Sequence, residues 1–185
     1  PVLKKSKGTA SLDKYMTKEL VNKIAKLAEN FAPNTKWYID VMNQLFHLSP
    51  IDIEDDKIQN LLTVIAEGDD GEDDEENEEL RRWCVENYFD KLSSGDMTLH
   101  DKFIQVQVWV IGEYGYLSKR YKLPDLIDGI CEVLETSDAY LDSPHTKCMM
   151  ITAITKLTAQ NGGNHTQNSE ELIKKYANSK DIDSQ

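Results

Sequence analysis

The chain has 185 residues, 39% of them apolar and 29% charged, with a mean hydropathy of -0.55. That is enough chain for one core, and too rich in aliphatic and aromatic side chains for a disordered segment. The longest uninterrupted apolar runs, such as Val108-Trp109-Val110-Ile111, fall far short of the ~20 residues that a membrane-spanning helix needs. Thirty-three acidic against 21 basic residues leave a net charge of -12. Such a balance argues against duplex nucleic acid as a partner, because phosphate neutralisation supplies most of that affinity.

The chain opens Pro1-Val2-Leu3-Lys4-Lys5, with neither an initiator Met nor an apolar leader, and reads as an internal piece of a longer protein. Residues 1–10 are expected to be flexible. The first 36 residues carry eight Lys against Asp13, Glu19 and Glu29, a local excess that fits a solvated helix face or, alternatively, contact with an anionic membrane surface or an acidic partner. Beyond this start the apolar period is helical. Leu20, Ile24, Leu27 and Phe31 form one stripe, and Trp37, Val41, Leu45 and Leu48 the next. Ile58, Leu61, Leu62 and Ile65 follow, then Leu80, Cys84, Tyr88 and Leu92 with Val85 and Phe89 beside them.

Between those last two stripes, residues 67–79 hold ten carboxylates and no cation. A calcium loop of the EF-hand type needs ligands at positions 1, 3 and 5 and Gly at position 6. Setting Gly71 or Gly68 at position 6 puts Ala66 or Thr63 at position 1, so the stretch is read as a solvated, self-repelling inter-helix loop.

Ile104-Gln105-Val106-Gln107-Val108 alternates like a half-buried strand. Phe103, Gln107, Val110, Tyr114 and Leu117 also fall at helical spacing, and no second strand is available, so a deeply buried helix is expected. Leu126, Ile127, Ile130 and Leu134, then Met150, Ile151, Ile154 and Leu157, continue the pattern. Ser143-Pro144 and Asn168-Ser169-Glu170-Glu171 read as capped helix starts.

Helix starts expected near residues 12, 34, 53, 78, 101, 123, 144 and 168 give a helix pair about every 44 residues, the period of HEAT and armadillo arrays. The predicted fold is all-α, an α-solenoid of HEAT/armadillo-like helix pairs with about eight helices in all, the solenoid segment spanning residues 11–160. A polar tail over 161–185, with a short terminal helix and partial disorder, is expected to follow. A compact, non-repeating helical domain is the alternative.

Catalytic and metal-binding patterns are sparse. Cys84, Cys131 and Cys148 are odd in number and lie in apolar stretches, as reduced core thiols would. His145 and Cys148 lack the second pair that structural zinc requires. Gly112-x-x-Gly115 has no preceding strand and too few glycines to cradle phosphate. No cofactor is expected and an enzyme is not. A helical glycine inside Trp109-Val110-Ile111-Gly112-Glu113-Tyr114-Gly115 instead points to close approach by a neighbouring helix. If buried, Glu113 would need a cation or a helix N-terminus.

Four ordered motifs carry a family resemblance. Trp109-x-x-Gly112-Glu113-Tyr114 resembles a signature in the trunk of the large adaptins of clathrin-type adaptor complexes. Ala28-Glu29-Asn30-Phe31-Ala32-Pro33 with the aromatic start at Trp37, Ile65-Ala66-Glu67-Gly68 with Leu80-Arg81, and Ala153-Ile154-Thr155-Lys156-Leu157 are similar to adaptin segments in the same order. The second of these resembles the epsilon type in particular, with gamma- and alpha-adaptin next.

The resemblance implies a scaffold that assembles with a second large, a medium and a small subunit. It also implies recruitment by an Arf-type GTPase through parts outside this segment, and cargo sorting as a peripheral coat on trans-Golgi network and endosomal membranes from the cytoplasm. Trp109, Gly112, Glu113 and Tyr114 would be structural. A different HEAT-type scaffold, such as a nuclear transport receptor or a phosphatase regulatory subunit, is the competing reading, and an acidic helical enzyme a third.

Overall fold

A computed structural model describes residues 10–49, 52–68, 73–94, 100–137 and 143–176. Among them are eight α-helices and no strand: α1 (Ala10–Phe31), α2 (Thr35–Leu48), α3 (Asp55–Glu67), α4 (Asp74–Leu92), α5 (Asp101–Tyr114), α6 (Leu123–Ser137), α7 (Pro144–Gln160) and α8 (Gln167–Tyr176). A 3-10 turn, Gly115–Leu117, extends α5. The all-α reading therefore holds, and no described helix is long and apolar enough to cross a membrane. The helices group into two compact units, Pro1–Gly71 and Glu72–Gln185.

Capping side chains set the starts. Asn34 Oδ1 accepts from Trp37 N at 2.8 Å and Asp73 Oδ1 from Glu76 N at 2.9 Å, each satisfying an orphan donor of the first turn. α7 starts as its sequence suggested, with Ser143 as cap and Pro144 in the first turn. The last helix is capped two residues before Asn168: Thr166 Oγ1 accepts from Ser169 N at 3.2 Å, and Ser169 Oγ from Thr166 N at 3.0 Å. The stretch read as an acidic loop over 67–79 is helical from Asp74. Asp74, Glu75 and Glu76 fill the first turn, where carboxylates oppose the positive helix end and local repulsion is offset. Gly71 and its neighbours 69, 70 and 72 lie outside the described residues, as do most of residues 1–10 and the tail from 177 onward.

In the first unit, α1, α2 and α3 pack around Val21, Ala25, Ala28, Tyr38, Ile39, Met42, Leu45, Phe46, Leu61 and Ile65. The stripes expected at the core are only partly there. On α1 the small residues Val21, Ala25 and Ala28 turn inward while Leu20, Leu27 and Phe31 are exposed, and on α2 Trp37 and Leu48 are exposed. Small side chains let α1 approach its neighbours closely, which moves the contact line round the helix from its largest apolar residues. Polar links add to this core. Asn22 Nδ2 donates to Asp52 O at 2.9 Å, and Glu54 N donates to Asn22 Oδ1 at 3.2 Å. Lys57 Nζ lies 3.2 Å from both Glu29 and Asp56 carboxylates, and those two hydrogen bonds raise its ammonium above the ordinary lysine range.

In the second unit α4, α6 and α8 pack in succession on one side, α5 against α7 on the other, with α4–α5 and α6–α7 joining the layers. Nearly every apolar residue read as core is buried here, including Leu80, Cys84, Val85, Tyr88, Phe89 and Leu92 of α4 and Leu126, Ile127, Ile130 and Leu134 of α6. The stretch that alternated like a strand is helical. Phe103, Ile104, Val106, Val108, Val110 and Ile111 of α5 are all buried, because α5 has neighbours on several sides. Burial pushes the Cys131 thiol up to about 12, so it is a packed, inert sulfur.

Candidate functional site: the crossing of α5 and α7

The residues singled out by the sequence come together where α5 meets α7, the most extensive helix contact in the second unit. Gly112 makes the crossing possible. A Cβ built on it would lie 2.9 Å from Ala153 Cα and 3.0 Å from Ala153 Cβ, closer than such atoms approach, so the missing side chain is what lets the backbones touch. One turn on, a Cβ at Gly115 would lie 2.4 Å from Leu157 Cδ2. Ala153, Lys156 and Leu157 belong to the last of the four motifs, so two motifs far apart in sequence interlock in one register.

Polar groups fix that register. Glu113 forms an ion pair with Lys156 across the crossing, each side chain partly exposed. The sequence required a cation or a helix N-terminus for a buried Glu113; the side chain is half-buried, and the cation is Lys156. Gln160 Nε2 donates to Gly112 O at 2.9 Å and to Glu113 O at 3.3 Å, tying α7 to carbonyls at the end of α5. Nothing in the sequence marked Gln160; its only signal is its spacing of seven residues from Ala153, two turns along the same face.

The aromatic members lie at the rim. Trp109 meets Tyr114 edge to face with centroids 6.1 Å apart. The Arg81 guanidinium of α4 sits 5.5 Å from the Tyr114 ring centroid, a cation–π geometry. Burial raises the Tyr114 phenol above its ordinary range. Arg81 comes from a further motif, so three of the four meet around α5. Beside the crossing is a cavity of about 100 Å³ lined by Val108, Trp109, Gly112, Met149, Thr152, Ala153 and Lys156. Its walls are apolar apart from Lys156 and Thr152, and it holds no nucleophile with a base.

The connection that follows the same end of α5 and leads to α6 is tied to α4. Glu86 Oε1 accepts from Ser118 Oγ, Lys119 N and Arg120 N at 3.3, 3.0 and 3.1 Å. Arg120 Nη1 reaches Asp90 Oδ2 at 2.7 Å, and the Tyr121 hydroxyl donates to Asp90 Oδ1. Among the described residues no group of three or more His, Cys, Asp or Glu side chains is placed to hold a metal ion. The arrangement can hold helices in register and present an aromatic, cation-bearing rim.

Comparisons with known proteins find relatives for the sequence. The family described as the adaptin N terminal region matches residues 4–185. The AP-4 complex subunit epsilon-1 of Homo sapiens is 34% identical over 171 residues, covering 92% of this chain and 14% of the human protein. The AP-4 complex subunit epsilon of Arabidopsis thaliana is 32% identical over 147 residues, 80% of this chain and 15% of the plant protein. The AP-2 complex subunit alpha of Schizosaccharomyces pombe is 26% identical over 146 residues, 79% of this chain and 15% of the yeast protein. The chain thus spans about a seventh of the length of these relatives. No solved structure matches it. With the family match extending over nearly the whole sequence, the chain belongs to the adaptin family, in its N-terminal region.

Proposed function

We propose that this chain is a scaffold segment of an adaptor-complex large subunit, acting in vesicle-mediated intracellular protein transport and performing no catalysis. The observation that carries the reading is the match of residues 4–185 to the adaptin N-terminal region, with relatives at 34% and 32% identity named as complex subunits. The geometry supports it: the residues of the resemblance serve packing, with Gly112 admitting Ala153, Glu113 holding Lys156, and Trp109 and Tyr114 closing the rim. Their role is structural. The whole polypeptide assembles with a second large, a medium and a small subunit. It sits as a peripheral coat component on trans-Golgi network and endosomal membranes, recruited by an Arf-type GTPase through regions outside these residues.

Affinity purification of the full-length polypeptide from cytosol, followed by mass spectrometry, tests this. Stoichiometric recovery of one further large, one medium and one small subunit is expected. Recovery of a phosphatase or a transport cargo with its GTPase, or of nothing stoichiometric, would overturn it.

A further inference from the structure

In the first unit a cavity of about 230 Å³ lies where the turn between α1 and α2 meets α3. Ala32, Pro33 and Val64 give it apolar walls, and Glu29, Tyr38 and Asn60 give it polar groups. On α3, Asn60 and Val64 are four residues apart and share a face with Lys57, three residues before Asn60. Tyr38 is only 3% exposed, so its ring is packed in the core and holds its hydroxyl in place. That hydroxyl accepts from Asn60 Nδ2 at 3.3 Å, while no described residue accepts its own proton. Burial raises the Tyr38 phenol above its ordinary range, with the Asn60 hydrogen bond opposing, so the proton stays and can be donated. Asn60 Oδ1 accepts from no described residue. Glu29 accepts from Lys57 Nζ through Oε2 alone, at 3.2 Å, which leaves Oε1 without a donor among the described residues.

The residues lining one cavity thus offer two unused acceptors, one of them charged, and one unused donor. The sign of the charge selects a cation. Lys57 serves the carboxylates of both Glu29 and Asp56, so the group carries a net negative charge within a chain of -12. α2 begins beside the cavity, but its Asn34 cap already takes the Trp37 N–H, which weakens the case for an anion. A guanidinium holds several N–H donors in one plane and no acceptor, so one such group can serve Glu29 and Asn60 together. An ammonium is a more strongly hydrated point charge. The methylene stem of an arginine suits the apolar walls, and the Tyr38 proton calls for a carbonyl, which peptide backbone supplies. The volume is below the ~300–1,000 Å³ of sites for whole small molecules, a size for one side chain. We propose that this cavity binds an arginine side chain of a partner peptide, its guanidinium on Glu29 and Asn60 and a backbone carbonyl of the peptide on the Tyr38 hydroxyl. The inference does not depend on the proposed transport role, so it stands or falls apart from the purification experiment.

Nuclear magnetic resonance titration of the 15N-labelled 185-residue chain with acetyl-arginine-amide tests it. Saturable amide shifts confined to residues 29–38 and 57–64 are expected, with a Kd of about 5 mM or below. Acetyl-glutamine-amide should bind about tenfold more weakly, the worth of a charge-assisted hydrogen bond, and acetyl-lysine-amide several-fold more weakly. Glu29→Gln should weaken acetyl-arginine-amide about tenfold with the rest of the spectrum unchanged. Tyr38→Phe should weaken acetyl-arginine-amide several-fold and leave methylguanidinium, which has no carbonyl, unaffected; a loss of both equally would remove Tyr38 from the proposed contact. Equal binding of the glutamine or lysine probe, or full affinity in Glu29→Gln, would overturn the proposal. So would shifts of the same size at Asp125 and Glu132 of α6, which would mean diffuse attraction to an acidic chain. Inorganic phosphate shifting the same amides more strongly than acetyl-arginine-amide would overturn it as well, giving the cavity to an anion.

Discussion

At the residue scale Gly112 and Gln107 make opposite predictions from the same helix. Replacing Gly112 with Ala gains about 1 kcal/mol of helix propensity, but the added Cβ would sit 2.9 Å from a backbone atom of Ala153. Overpacking against backbone costs about 1–3 kcal/mol, so Gly112→Ala should lower stability by about 1–2 kcal/mol in urea titration. Combined with Ala153→Gly, the loss should be smaller than the sum of the single losses by at least about 0.5 kcal/mol, since the two share one contact. Strict additivity would mean that the crossing does not set the cost. Gln107 is fully buried, and neither its amide nitrogen nor its carbonyl oxygen has a hydrogen-bond partner among the described residues. An unsatisfied buried amide costs about 1–3 kcal/mol, whereas methionine has nearly its shape. Gln107→Met should therefore raise the urea midpoint. A lowered midpoint would show that the amide is satisfied, by an ordered water for example.

At the element scale the connection between α5 and α6 is held by carboxylates of α4, and its pH response follows from Asp90. The Tyr121 hydroxyl donates to Asp90, and ionising it would set a phenolate against that carboxylate, so its pKa is raised. The folded state then holds this proton more tightly than the unfolded chain does. The contribution is whole below about pH 10, the ordinary tyrosine value, and is lost as pH climbs through the raised folded value. Tyr121→Phe should cost about 1–2 kcal/mol at pH 7, and the gap to the parent protein should narrow as the pH passes 10. Tyr38 and Tyr114, raised by burial, are present in both proteins and cancel in the difference. A gap that stays constant to pH 11 would remove Asp90 as the cause. This connection was invisible in the sequence, because Glu86 and Asp90 look like any solvated acids of a helix. The helices themselves were legible, since period and caps are local signals: α5, α6 and α7 begin at Asp101, Leu123 and Pro144, where the sequence placed them. What failed was facing. A stripe of Leu20, Leu27 and Phe31 announces a helix with an apolar side, yet which side meets α2 and α3 depends on how closely Val21, Ala25 and Ala28 allow approach, a property of neighbours and not of the stripe. At the crossing, Gly112 and Glu113 were legible as a need for a close neighbour and, if buried, a cation; that Ala153 and Lys156 meet that need is set by the packing of two helices some 40 residues apart.

At the scale of the whole molecule the two units differ in how completely each buries its own apolar surface. The described residues of 72–185 form five α-helices whose expected core positions are almost all buried, and of these residues only Tyr116 and Ile173 stand out as exposed large apolar side chains. The described residues of 1–71 form three α-helices, with seven such side chains exposed. Fully burying one large apolar side chain stabilises by about 1.5–3 kcal/mol, and net stabilities of small domains are only about 5–15 kcal/mol, so a handful of uncovered anchors decides whether a unit stands alone. A polypeptide of residues 72–185 should therefore give a cooperative thermal transition with a helical circular dichroism spectrum. A polypeptide of residues 1–71 should show a broad, low-temperature transition and bind a hydrophobic dye. In the 185-residue chain, amides of α5 and α7 should exchange most slowly and those of α1 faster, because local opening of α1 uncovers little that is buried. The order of exchange distinguishes this account from one in which length alone governs stability: α1, at 22 residues, is the longest helix described, and slow exchange along it would show that its open face is already covered within the chain.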